Sequence, residues 1–375
     1  MSLDREFAVD IALVGTGVAS LVAAQIFLRR GWSVLHLNPD HDFFIENSEL
    51  PFDPSVALGP GKALSHGVLD SLRADRARQI LEPEFPGSIE GWSREKGSEY
   101  FDPRAPFLRS RSWNWIGSPD HEADFLKLEE KGWHPQITEG VSAARRIPGF
   151  TYRGETPVTI RGLSLPKIAD IDVNRYRNGV LEFVRSRMDA NFLVTSASAI
   201  EPTPEGVRFY QAGVPRTVKL RQGLRIFRTP RLNLWCQSIG LEPSQESKIW
   251  EEWTLISRDP LDPSQLGFVG LSSVWAKYEG APSGPIHELG VFSPVLEGEK
   301  VAGPASFARL GGLAQRVLNW DRFSVRDLKE RRISSPPQTE PEFGALGKIR
   351  WMWGSDGALV GLVDRVVRFC SEEKE

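Results

Sequence analysis

One short stretch leaves few folds open to this chain. Val9 to Val14 is dominated by β-branched and apolar residues, the pattern of a strand buried on both faces in a parallel sheet, and Gly15-Thr16-Gly17 follows at once. From Val18 to Arg30 the apolar residues Val18, Leu21, Val22, Ile26 and Phe27 recur at helical spacing, with Gly31 as a stop. Val34 to Leu37 reads as a second strand. Together they make one βαβ unit, whose crossover is right-handed and whose helix begins at the glycine turn.

That turn carries chemistry. A dinucleotide pyrophosphate is held by backbone N–H groups at a helix N-terminus, and it approaches them closely only where side chains are absent. Gly15 and Gly17 supply that absence, and Val18, Ala19 and Ser20 form the first helical turn behind them. Ser20 stands where a third glycine is usual, so the fingerprint reads GxGxxS; serine is small enough to let the helix pack on the strand. The ribose is ordinarily held by an acid about twenty residues on, and Asn38 occupies that position. An amide accepts a hydrogen bond from a hydroxyl but lacks the charge of a carboxylate. Asp40 and Asp42 are alternatives if the strand runs longer.

Composition excludes several other classes. The 375 residues suffice for two or three lobes, and 40% hydrophobic with 25% charged residues is ordinary for a soluble protein. A net charge of −3 gives no electrostatic footprint for nucleic acid. Cys236 and Cys370 are too few and too distant for a disulfide framework or a zinc site, and the six histidines lie in no metal-ligand spacing, so no metal is expected. There is no basic, apolar leader and no apolar run long enough to span a bilayer. The expectation is a cytoplasmic protein with a small-molecule substrate, no nucleic-acid partner and no integral membrane segment.

Further along, residues 43–170 read as a loop-rich inserted lobe with Trp92, Trp113, Trp115 and Trp133. A helix is expected over Val173 to Met188, N-capped by Asp172, and then strands at Phe192–Ile200, Gly206–Tyr210 and Val218–Phe227 in a meander. Ile349–Trp353 reads as a last strand, Gly354-Ser355-Asp356-Gly357 as a turn, and Ala358–Cys370 as a closing helix. Arg109 and Arg111 beside Trp113 and Trp115 suggest either a clamp for an anionic or aromatic substrate or a loop with buried tryptophans. Trp351 and Trp353 share one face of the last strand, as core or as a site wall. His36 reads as a core or strand-face histidine.

DIALVGTGVASLVAAQIFLRRGWSVLHLNPD resembles the opening of flavoproteins with the glutathione-reductase-type FAD fold, and VLHLNPDHDFF is similar to the amine-oxidase and Rab-GDP-dissociation-inhibitor branch. DVNRYRNGVLEFVRSRMDANFLVTSASAIEPTPEGVRFY resembles the superfamily's helix and strand before a small meander. There the resemblance implies that strand backbone near Thr195–Ala199, Ala197 included, holds the adenine. IRWMWGSDGALVGLVDRVVRF resembles its final strand, turn and helix, which implies that Gly354, Asp356, Gly357 and Ala358 lie against the flavin and ribityl chain. The sequence departs from the family at Ser20, at Asn38 and at LRIFRTP, where Arg228 and Pro230 replace small residues of an alanine-threonine-glycine strand end.

The resemblance implies an α/β protein: a Rossmann-like FAD-binding domain with a parallel sheet and β-meander, plus an inserted α+β substrate lobe. Residues 1–60, 171–233 and 344–375 would build the FAD-binding domain, and 61–170 and 234–343 the substrate lobe. The leading functional expectation is an FAD-dependent oxidoreductase acting on an apolar or aromatic small molecule, with no catalytic residue marked by a motif, since the cofactor carries the electrons. The alternative is a non-redox binding protein of the same fold holding a lipid or a protein partner, which Asn38 and the FRTP strand end favour. An NAD(P)-dependent dehydrogenase ranks last, because a meander rather than alternating helices follows Ile200.

Overall fold

The structure is a computed structural model that describes residues 7–39, 64, 68–85, 107–117, 121–139, 142, 161–188, 192–229, 232–241, 245–257, 266–271, 274–280, 287–316, 323–335, 343–352 and 358–371. Its opening follows the sequence pattern: β1 (Phe7–Val14), α1 (Val18–Arg29) and β2 (Val34–Asn38), with β1 and β2 parallel and Val14 opposite Leu37. Alternate residues of β1 enter two different cores. Ile11 and Leu13 join the cluster under the helices, whereas Val9, Ala12 and Val14 join the cluster on the other face. A strand covered on both faces has no polar side, which is why this run is apolar almost throughout.

Two more chain segments complete the first sheet. α5 (Val173–Arg185) begins at Asp172, whose carboxylate accepts a hydrogen bond from the Arg175 backbone N–H at 2.9 Å, as an N-cap does. It leads into β6 (Phe192–Ser196), β7 (Ser198–Thr203), β8 (Gly206–Gln211) and β9 (Val214–Phe227), and the C-terminal segment adds β15 (Phe343–Leu346), β16 (Ile349–Met352) and α8 (Leu359–Ser371). The strand order is β15-β16-β9-β1-β2-β6, with β16, β9, β1, β2 and β6 mutually parallel. α1 packs between α5 and α8 on one face. The β7-β8-β9 meander and α6 (Asn233–Ser238) supply the other core.

β9 serves both layers. Its first half pairs antiparallel with β8, its second half parallel with β1, and the register to β1 shifts at Gly223. Gly223 has φ +94°, and a β-carbon there would stand 2.2 Å from the Lys348 carbonyl oxygen, so only glycine lets the strand bend past β16.

A second sheet has the order β14-β10-β13-β12-β11-β3-β5-β4. It is built from β3 (Leu108–Gly117), β4 (Gln136–Glu139) and β5 (Arg161–Ile171), and from β10 (Gln245–Ser257), β11 (Leu266–Leu271), β12 (Val274–Gly280), β13 (His287–Pro294) and β14 (Phe323–Ser335). α2 (Val68–Ser71), α3 (Ala74–Leu81), α4 (His121–Glu130) and α7 (Pro304–Arg316) accompany it in the chain. Among the described residues no helix is long and apolar enough to cross a membrane.

Three sequence readings need correction. Within the stretch 43–170, residues 108–117 and 161–170 are strand rather than loop, because β3 and β5 pair antiparallel along most of their length. Phe192–Ile200 is not one strand: β6 pairs with β2 and β7 with β8, and the break at Ala197, followed by Ala199 at φ 48°, switches the chain between layers. The segment of Trp113 and Trp115 is strand β3 rather than an exposed loop, and the two rings are buried as the second reading expected, 4% and 0% exposed in the helix-side core with centroids 5.5 Å apart, not a clamp.

Candidate functional site

Parallel pairing brings the carboxyl ends of five strands to one edge: Val14 of β1, Asn38 of β2, Ser196 of β6, Phe227 of β9 and Met352 of β16. Ligands of open α/β sheets bind outside such carboxyl ends. The residues that leave these strands are therefore the candidates for function, and they include most positions singled out in the sequence.

Gly15 has a packing role. A β-carbon on it would lie 3.0 Å from the β-carbons of both Phe227 and Ser20, so its absence lets α1 sit close to the sheet. Gly17 is the N-cap of α1, extended at φ −104° and ψ 179°, with no side-chain cap and no acid in the first turn. The helix therefore presents its N-terminal N–H groups and positive dipole end with no carboxylate of its first turn to neutralise them. Val18, Ala19 and Ser20 are buried behind the cap.

Ser20 does more than save space. Its hydroxyl donates to the Gly17 carbonyl at 2.8 Å, and His36 Nε2 lies 3.3 Å from the same oxygen. Which of the two donates across this contact is set by the imidazole tautomer. His36 also bonds the Gly15 backbone. The serine-histidine pair thus ties down both glycines of the turn. Burial pushes the His36 imidazole down to about 4, with the Gly15 bond acting the other way, so the ring is neutral near pH 7.

Asn38 is 2% exposed at the end of β2, and its carbonyl accepts the Ala197 N–H at 2.9 Å, which sets buried Ala197 beside the proposed ribose position. Ala358 directly precedes α8, while Gly354, Asp356, Gly357 and Trp353 lie outside the described residues, as do Asp40, Asp42, Trp92 and Pro230. Trp351 packs against the meander-side core and over Gly344. That favours core over site wall.

Sequence reasoning missed Thr16 and Thr229 at this edge and read Arg228 only as a departure from the family's small residues. Thr16 in the glycine turn is 0% exposed, and Arg228 and Thr229 after β9 are 1% and 2% exposed. The Arg228 N–H donates to the Met352 carbonyl at 3.0 Å, which joins β9 to the start of the C-terminal turn. The Thr16 and Thr229 hydroxyls are buried without a hydrogen-bond partner among the described residues. A polar residue immediately after a buried parallel strand was the available signal.

Two grooves on the described surface lie elsewhere. One is lined by Asp70, Arg73, Arg76 and Asp364, the other by Arg29, Arg30 and Glu84. Both are open to solvent, and neither is lined by the glycine turn, so neither replaces the strand-end edge as the candidate site. Among the described residues no group of three or more His, Cys, Asp or Glu side chains is placed to hold a metal ion.

No protein-family pattern and no curated protein matches the chain in sequence. Solved structures do match in fold. NikD, described as an unusual amino acid oxidase essential for nikkomycin biosynthesis, superposes with a TM-score of 0.66 at 15% identity over 98% of this chain and 93% of its own. Glycine oxidase from Bacillus cereus gives 0.63 at 12% identity over 98% and 96%. An FAD-dependent oxidoreductase from Pseudomonas aeruginosa gives 0.54 at 14% identity over 99% and 92%.

Proposed function

The chain has the fold of FAD-dependent oxidoreductases of the amino acid oxidase type, and we propose that it is such an enzyme, with FAD as its cofactor. The observation that carries this reading is the α1 N-terminus, free of capping side chains, at the shared carboxyl edge of five parallel strands. The residues present fit a dinucleotide. Gly17, Val18 and Ala19 would offer backbone N–H groups to the pyrophosphate, with Gly15 and Ser20 holding the turn; Asn38 would hold the ribose, and the backbone at Ala197 the adenine. Gly354, Asp356, Gly357 and Ala358 would lie against the flavin and ribityl chain. Bound flavin supplies a two-electron acceptor; the protein's part is orientation, exclusion of water and electrostatics.

The neutral His36 keeps a second charge away from the turn, so the helix dipole and the groups after β9 set the local field. Thr16, Asn38, Arg228 and Thr229 at the edge are nearly inaccessible, which makes hydrogen bonds there stronger than in water.

The substrate class we propose is a small amino acid or amine, as for the amino acid oxidase and glycine oxidase that share the fold. Apolar or aromatic character in that substrate is the finer proposal. It rests on composition, because the described Trp113, Trp115, Trp133, Trp250 and Trp253 are all buried core. The five segments expected from the sequence divide in the same way as the two sheets, which supports a substrate lobe built on the second one.

An absorption spectrum of freshly purified protein tests the cofactor, and anaerobic bleaching of its yellow bands by a panel of amino acids and amines tests the substrate. A colourless protein that takes up no added FAD would replace this reading with the non-redox binding one, which Asn38 and buried Arg228 at the strand end favour.

A further inference from the structure

We propose that the side chains of Thr16, Arg228 and Thr229 form a diphosphate-binding set beside the α1 N-terminus, a role that rests on the reading that a dinucleotide lies along this edge. β1 and β9 run parallel with Val14 opposite Ile226, so the two chains leave the sheet side by side. Gly15 lies against Phe227 across that gap, and the next residues are Thr16 on one side and Arg228-Thr229 on the other. Their positions are fixed from the backbone: Arg228 donates its N–H to Met352, and the Thr229 carbonyl accepts the Leu232 N–H at 2.9 Å.

Two buried hydroxyls without a partner among the described residues, at 0% and 2% exposure, stand one within the glycine turn and one two residues past the end of β9. Valine has the shape of threonine, and a buried hydroxyl that bonds nothing costs stability that valine would not. A ligand that accepts hydrogen bonds explains why threonine stands at both places. The other groups there have the same polarity: a guanidinium has five donors and no acceptor, and the helix end offers N–H groups. Donors from two separate chain segments suit an anion with acceptor oxygens on two centres, which a diphosphate provides. The positive charge of Arg228 also supplies at the phosphates what Asn38 gives up at the ribose, and it turns the departure at the strand end from an obstruction into a contact.

The test uses the full chain, titrated with FAD, ADP and adenosine, alongside thermal unfolding of the ligand-free protein. Thr16→Val and Thr229→Val should leave the ligand-free protein as stable or more stable, while each weakens FAD and ADP about 2- to 10-fold and leaves adenosine unchanged. Arg228→Met should weaken FAD and ADP by about 10- to 100-fold, and Arg228→Lys by less. Valine variants that lose stability yet bind FAD and ADP as the parent does would overturn the proposal, because the hydroxyls would then be structural; they decide the question even if Arg228→Met does not fold. If the parent binds neither FAD nor ADP, the cofactor reading fails by itself. Inorganic pyrophosphate then decides the anion site: stabilisation of the parent that the valine variants reduce supports it, and none overturns it.

Discussion

Replacing His36 by glutamine separates its two roles, the hydrogen bond that steadies the glycine turn and the charge that burial keeps off the ring. Glutamine places an amide, which both donates and accepts, where Nε2 now lies beside Ser20, and it does not titrate. The native imidazole is pushed from 6.5 down to about 4 by burial. The unfolded chain therefore binds this proton more readily than the folded one between those two values. Stability from this group is complete above about pH 6.5, is lost as pH falls toward about 4, and changes no further below that. Each pKa unit is worth about 1.4 kcal/mol, so the full window is worth roughly 3 kcal/mol. His36→Gln should match the parent within about 1 kcal/mol at pH 7.5, since the hydrogen bond is kept. At pH 4.5 it should be the more stable protein by about 2–3 kcal/mol. Urea unfolding of both proteins at half-unit pH steps measures the difference, in which the carboxylates that also titrate there, such as Glu84, cancel. Parallel loss of stability in the two proteins across pH 6.5 to 4.5 would refute the buried neutral histidine.

Asn38→Asp should tighten FAD binding about tenfold, because a hydrogen bond to a charged acceptor is worth about 1.5–3 kcal/mol against 0.5–1.5 for a neutral one. FAD titration of the apoprotein measures it, and weaker binding in the variant would place the ribose elsewhere. Gly223→Ala forces a left-handed residue and a β-carbon into the Lys348 carbonyl, so chemical denaturation should show a loss of about 3 kcal/mol or more. Asp172→Ala removes the α5 cap to Arg175 and should cost about 1 kcal/mol in the same assay, with little effect on FAD.

The strand, glycine turn and helix at the start, the Asp172-capped helix and the C-terminal strand and helix could all be read from the sequence because each is encoded locally. Strand and helix periodicities, caps and glycine stops act over a few residues, and β1 shows its double burial in its own composition. The dinucleotide reading of Gly15 and Gly17 has the same local origin. Other features depended on residues far apart in the chain. Nothing near Phe192 announces that β6 ends at Ala197, because the break is set by pairing with β2 on one side and β8 on the other. Trp113 and Trp115 look like a ligand clamp until β5 and the helices cover them. Arg228 looks like an obstruction until β9 is laid beside β1 and β16, which brings the end of β9 to the glycine turn and binds the Arg228 backbone to Met352. Local order follows from the residues themselves, whereas burial and partnership follow from register between distant strands, and only the assembled sheet fixes that register.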